Sequence, residues 1–130
     1  MYVRFVVGER DGDSGKEAGV FQAIYDLRDR GGLYSYEEAH LEELRRWFNE
    51  RLERPDRFTS AKPPYHRKAN RAISWFKDTA HEHIARIREM VAMLENHGVH
   101  VRMITGERLG YVVYEDEYQI VAEPFADRRR

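Results

Sequence analysis

The stretch NRAISWFKDTAHEHIARIREMVAMLENH, residues 70–97, decides how this chain folds. Ile73, Phe76, Ala80, Ile84, Ile87, Val91 and Leu94 recur at steps of three and four, the period of an amphipathic helix, and Gly98 supplies a stop. The spacing therefore predicts one helix from about Asn70 to His97, roughly 42 Å long at about 1.5 Å per residue. A domain of this length has a radius of gyration near ~14 Å, so such a helix would span the molecule. Trp75 and Met93 would lie about 160° from its apolar stripe, turned toward a partner surface.

Upstream, Tyr2 to Val7 reads as a strand with Val3, Phe5 and Val7 on one face, and Gly8 to Gly15 as a polar loop. Val20, Phe21, Ile24 and Leu27 have helical spacing, stopped by Gly31-Gly32. Ser35 with Glu38 is a capping-box pattern opening a second helix through Leu41, Leu44, Phe48 and Leu52, which ends before Pro55. Residues 55–68 read as a loop that Pro63-Pro64 keeps extended. Downstream, Val99–Thr105, Tyr111–Glu115 and Tyr118–Glu123 alternate as strands with short links, the pattern of an antiparallel meander.

The expected fold is thus α+β, one domain over residues 1–130: a four-stranded, mainly antiparallel sheet built from one strand, three helices and then a three-stranded meander. The inner faces would carry Val3/Phe5/Val7, Val99/Val101/Met103, Tyr111/Val113 and Tyr118/Ile120. Val6, Ile104, Val112, Tyr114 and Val121 make the opposite faces apolar too. A sheet with one wet side alternates more cleanly, so both faces should be covered, by helices on each side or by a second subunit. A homodimer is the expectation.

Lys and Arg number 22 against 23 Asp and Glu, a net charge of −1, so any polyanion site must come from local clustering rather than global charge. The chain has no Cys, which removes disulfides, thiolate nucleophiles and zinc–thiolate sites and fits a reducing, cytoplasmic setting. Neither a signal segment nor a membrane-length apolar run is present, so no membrane partner is expected. With 42% hydrophobic residues the chain has enough apolar surface to fold, despite 35% charged residues. No cofactor and no metal is expected.

Around Ile73-Ser74-Trp75-Phe76-Lys77, and from Tyr111 to Phe125, the chain resembles a family of small bacterial proteins to which no activity is attached. That resemblance implies a free-standing bacterial protein and carries over no site residue.

Several motif matches fail on their chemistry. Gly12-Asp13-Ser14-Gly15 matches the string around a serine-protease nucleophile, but that class needs a larger double β-barrel with His and Asp in register. As a phosphate loop, the same region has Arg10 where the first Gly belongs and Glu17 in place of the magnesium-binding hydroxyl. As a calcium loop, Lys16 replaces the turn glycine and Gln22 the bidentate Glu. His81-Glu82-His83 puts two rings about 200° apart on a helix, so they do not share a metal. His83 borders the apolar stripe and reads as a boundary residue.

His81 is the catalytic candidate: with Lys77 and Arg88 on one helical flank, it would be held neutral, as a general base must be. His66 and the carboxylates Glu115 and Glu117, at a hairpin tip, complete the acid–base set. The strands from Tyr111 onward are similar to the hairpin bearing the catalytic Glu of ADP-ribosyltransferases, but the earlier strand motifs that hold nicotinamide are not recognisable.

The strongest binding signal runs from Arg54 to Lys77. Arg54, Arg57, Lys62, Arg67, Lys68, Arg71 and Lys77 face only Asp56 inside the segment, with Phe58, Tyr65, His66 and Trp75 interleaved. Clustered cations neutralise phosphates and flat aromatics stack on bases. Tyr65, His66, Arg67, Lys68, Arg71, Trp75 and Lys77 are the expected ligand-binding residues, for nucleic acid or an acidic protein. The acids of the second helix (Glu37, Glu38, Glu42, Glu43) are positioned to oppose that field. The functional expectation is a small binding or accessory protein. Its rivals are a small enzyme using His81, His66, Glu115 and Glu117, and a structural homodimer or complex subunit.

Overall fold

A computed structural model describes residues 1–10, 17–52 and 72–125. The chain runs β1 (Tyr2–Arg10), β2 (Glu17–Gly19), α1 (Val20–Asp29), α2 (Ser35–Arg51), β3 (Ile73–Lys77), α3 (His81–Asn96), β4 (Val101–Gly106), β5 (Tyr111–Glu115) and β6 (Gln119–Glu123). The α+β class and the three helices agree with the sequence. The sheet does not have four strands, and its last three strands do not form a meander.

Both differences begin in residues 73–77. Ile73, Trp75 and Phe76 are β-branched or aromatic, which suits a pleated surface as well as a helix, and here tertiary pairing decides. β3 is antiparallel to β1 on one side (Val3 opposite Phe76) and to β6 on the other (Trp75 opposite Ile120). A turn at Asp78-Thr79 then leads into α3. The long helix is therefore a strand plus a helix of 16 residues, about 24 Å at about 1.5 Å per residue. Trp75 sits on the strand, and Met93 is buried among the helices.

Val3 and Val6 each have strand partners on two sides, which fixes the strand order. β4 runs the length of one edge of β1, from Tyr2 opposite Gly106 to Val7 opposite Val101. β3 and β2 share the other edge, β3 at Tyr2 and Val3, β2 at Val6 and Arg10. Across the molecule the order is β4-β1-β3-β6-β5, five antiparallel strands, with β2 lying in line with β3 as a short addition.

β4 and β5, expected to pair, are the two outer strands. Flat strands spaced about 4.8 Å apart would put those edges roughly 19 Å from each other. Tyr111 follows Gly106 by five residues, which even fully extended reach only about 18 Å. The register also puts Gly106 at the level of Lys77 and Tyr111 at that of Glu123, so the link runs from one end of the strands to the other and the sheet must curl to let it reach. Gly110 completes the crossing: its φ of 146° lies in a region open mainly to glycine, and a Cβ there would stand 2.1 Å from the Glu123 carbonyl oxygen.

All three helices pack on one face. Val20 and Ile24 of α1, Leu41, Leu44 and Phe48 of α2, and Ile87, Met90, Met93 and Leu94 of α3 form a single core with Val3, Phe5, Phe76 and Val101. The second face was expected to need helices or a subunit. Instead Val6 and Val113 are fully buried, with Ile120 and Ala122 nearly so, outside the helix-facing core. Ile120 belongs to this second face with Trp75, not to the inner face, and Met103 stays half exposed.

Candidate functional site

Tyr65, His66, Arg67, Lys68 and Arg71 lie outside the described residues, as do Arg54, Arg57, Phe58 and Lys62. Leu52 and Ala72, the described residues on either side of this segment, both line one half-enclosed cavity of about 230 Å³. The chain thus leaves and re-enters at one place. Trp75 and Lys77, the described end of the basic segment, belong to β3. Trp75 is half-buried, and the edge of its indole would lie 3.9 Å from a Cβ at Gly106. Lys77 Nζ sits 2.8 Å from Glu115 Oε2. That hydrogen bond holds the lysine above its usual pKa, outweighing burial, and the charge of Glu115 adds to it.

Lys77 therefore does not flank His81 on a helix. His81 opens α3, is exposed, and has no carboxylate within bonding distance among the described residues. The acidic hairpin divides its work three ways. Glu115 is taken by Lys77. Asp116 accepts from the Tyr118 and Gln119 backbone N–H groups (2.9 and 3.0 Å), the Tyr114 hydroxyl (2.9 Å) and Gln119 Nε2 (3.3 Å). Burial alone would raise the Asp116 pKa, but those donors bring it below the ordinary carboxylate value. Glu117 is exposed beside an open cleft of about 370 Å³ between this hairpin and the end of α2, with Glu50, Arg51 and Tyr118 also in its wall.

Two buried ionisable groups stand out beyond the sequence candidates. Glu37, 3% exposed, accepts from His97 Nε2 (2.6 Å), the Tyr34 N–H (2.9 Å) and Asn96 Nδ2 (3.2 Å), tying the start of α2 to the end of α3. This is also the helix-opening bond: the carboxylate that closes back is Glu37, one residue before the Glu38 of the expected box. Burial pushes Glu37 up, while the hydrogen bonds from His97, Tyr34 and Asn96 and the charge of His97 hold it lower than usual.

His83, 4% exposed, stands in an aromatic box instead of at a boundary. Its ring stacks on Tyr118 (4.4 Å between centroids) and meets Trp47 edge-on (4.9 Å), with Phe48 and Phe76 each at 6.1 Å. Nε2 has no hydrogen-bond partner among the described residues, so the bond to the Arg51 carbonyl falls to Nδ1. Burial drives its pKa down, against the opposing pull of the Arg51 carbonyl and the charges of Glu82 and Asp116. His83 shares the apolar period of α3, and nothing in sequence places rings from α2, β3 and the β6 approach around it.

Trp47 itself meets the guanidinium groups of Arg51 and Arg86, 5.0 and 5.2 Å from the ring centre. Arg86 also bonds Glu89 (3.2 Å), which meets His40 Nε2 at 2.7 Å. This chain of polar contacts fastens α2 to α3. No group of three or more metal-ligating side chains occurs among the described residues, and none of the described helices is long and apolar enough to cross a membrane. In comparisons with known proteins, no family model matches the chain, and no curated protein or solved structure is significantly similar to it.

Proposed function

We propose that this is a binding or accessory protein that uses residues 54–77 to hold an anionic ligand or partner, with single-stranded nucleic acid the polyanion to test first. The supporting observation is a mismatch of charge. Arg54, Arg57, Lys62, Arg67, Lys68 and Arg71 crowd one segment with a single acid, Asp56. Three of the five acids of α2 are engaged elsewhere, while Glu38 and Glu43 stay exposed. Glu37 is consumed by His97 and Asn96, Glu42 by Arg45, and Glu50 by Arg51. Trp75 and Lys77 contribute least, because the indole is half-buried and the ammonium is neutralised by Glu115. The contacts then fall to Tyr65, His66, Arg67, Lys68 and Arg71.

Fluorescence anisotropy with a labelled single-stranded oligonucleotide tests this. Binding is expected at about 50 mM salt and weakens with salt by a log–log slope of about −0.7 per phosphate contact. No binding at that salt removes the nucleic-acid form and leaves an acidic protein surface as the ligand.

A homodimer is the second reading. Trp75 and Met93 no longer argue for it, but Tyr111 and Val112 on the outer strand β5 are exposed beside Phe125, which packs edge-on against Tyr111 at 4.8 Å. Light scattering at several concentrations should then give a mass above the 15.5 kDa of one chain. A constant 15.5 kDa contradicts it.

A further inference from the structure

The two outer strands of the sheet are not equally guarded. On β5 the register slips between Val112 and Tyr114, a bulge of the kind that bends an edge and discourages further pairing. β4 has no such break, and from Val101 to Gly106 every residue pairs in register with β1. No described strand pairs with its other edge, toward which every second residue turns its N–H and C=O groups. Arg102, Met103 and Thr105 are exposed, and because neighbours along a strand point to opposite faces, β4 is open on both. Leu52 and Ala72, which flank residues 53–71, lie on the β3 side of β1 and not on this one.

Beside that edge stands an arginine without a counter-charge. Met103 lies opposite Phe5, a residue of the helix-facing core, and cross-strand partners share a face. Met103 is nevertheless 50% exposed, on the face that the helices otherwise cover. Arg88 of α3 lies over the Phe5 ring, 5.3 Å from its centre, with Nη2 3.6 Å from Met103 Sδ. A ring and a thioether carry no charge, and the sulfur is a weak acceptor. Arg28, Arg45, Arg51 and Arg86 each hold a carboxylate, whereas none meets exposed Arg88 among the described residues.

We propose that β4 and the adjoining flank of α3 bind an extended, acidic peptide segment of a partner protein, which joins the sheet as a further strand. Backbone hydrogen bonds to the β4 edge supply affinity, and side chains on alternate peptide residues supply selectivity. On the helix-facing side an apolar residue covers Met103, and a carboxylate two residues along the peptide reaches the Arg88 guanidinium. Arg–carboxylate pairing is charge-assisted and directional, so it favours an acidic strand over a basic one. A second copy of this chain fits the edge less well, because joining two β4 strands brings two Arg88 side chains toward each other. The inference goes beyond the reading of residues 54–77 and uses none of them.

The test is an NMR titration of the isotope-labelled full chain with peptides of about ten residues. One repeats Val-Thr-Glu-Thr, which puts Val and Glu on one face of a strand, and the second has Lys in place of Glu. The third is the Glu peptide N-methylated along its centre, which removes the donors that strand pairing needs. The Glu peptide should bind saturably with Kd on the order of 0.1 mM for a short chain that orders on binding. The Lys peptide should bind about tenfold more weakly, and the methylated one not at all. Amide shifts should centre on Arg88 and on Arg102 to Gly106. Arg88→Gln should remove the preference for Glu over Lys, and Arg67→Ala/Lys68→Ala should leave the affinity unchanged, so this proposal and the polyanion reading fail separately. Should Arg88→Gln not fold, the shifts in the unmodified protein decide the location. No saturable binding, equal affinity for the Lys or the methylated peptide, shifts elsewhere, or loss of binding in Arg67→Ala/Lys68→Ala would each overturn it. Shifts at Arg102 to Gly106 that grow with protein concentration alone would put a second copy on the edge and overturn it as well.

Discussion

The two ends of α2 are built on opposite principles. At its start, Glu37 is buried and fully met by His97, Asn96 and the Tyr34 N–H, so a costly charge becomes a clamp between two helices. At its finish, His83 keeps a buried nitrogen with no partner among the described residues, Arg51 and Leu52 edge an open cleft, and Leu52 lines the half-enclosed cavity. Buried polar groups are normally satisfied, and the exceptions ask for a reason. One end of the molecule is optimised for stability. The other carries the unfilled space, the unmet polar atom and the tethers of the basic segment, where binding is cheapest to install.

Breaking the satisfied end should have the largest effect. Glu37→Ala removes one carboxylate and strands three donors, so urea unfolding near neutral pH should show a loss of about 2–4 kcal/mol. The same group sets an acid limit. Because its folded pKa lies below the ordinary 4.5, its contribution is full above that value and is lost as pH falls through the lowered folded pKa. Glu37→Ala should flatten the acid limb of the stability curve. A loss below about 0.5 kcal/mol, the scale of an ordinary surface change, would mean that the clamp is ornamental.

The unsatisfied end should respond more gently. His83→Phe keeps a ring in the box and removes the unpartnered Nε2 together with the Nδ1 bond to the Arg51 carbonyl, so near neutral pH stability should change by less than about 1.5 kcal/mol. Its effect should appear on acidification. With its folded pKa below the ordinary 6.5, neutral His83 contributes stability that begins to fall once pH drops through that value. The variant should lose less stability than the wild type between about pH 7 and pH 5. An unchanged slope would show that His83 is not the group being titrated.

How much of this was legible in the sequence depends on how local the cause is. α1, α2 and the body of α3 were readable because apolar stripes and glycine stops lie within each segment. Ile73 to Lys77 was not, because five residues rich in Ile, Trp and Phe fit either period, and only the ladders to β1 and β6 choose between them. The link Glu107–Gly110 suits a hairpin by length, and nothing local reveals that it crosses a curled sheet. Of the site, the cations of residues 54–71 are visible as composition alone. The Lys77–Glu115 pair, which silences one of the expected contacts, joins residues far apart in the chain and arises only when β3 enters the sheet. His83 looked like a boundary residue for the same reason: its box is assembled from three distant elements.

The role proposed for residues 54–77 requires that they bind through charge. The most direct measurement compares wild type and Arg67→Ala/Lys68→Ala for binding to a single-stranded oligonucleotide over a salt series, with urea stability as control. A stability within about 0.5 kcal/mol of the wild type keeps the comparison one of binding alone. The double variant should bind more weakly, with a log–log salt slope shallower by up to about 1.4 for two lost contacts at about 0.7 each. Equal affinity and an unchanged slope in the two proteins would contradict it.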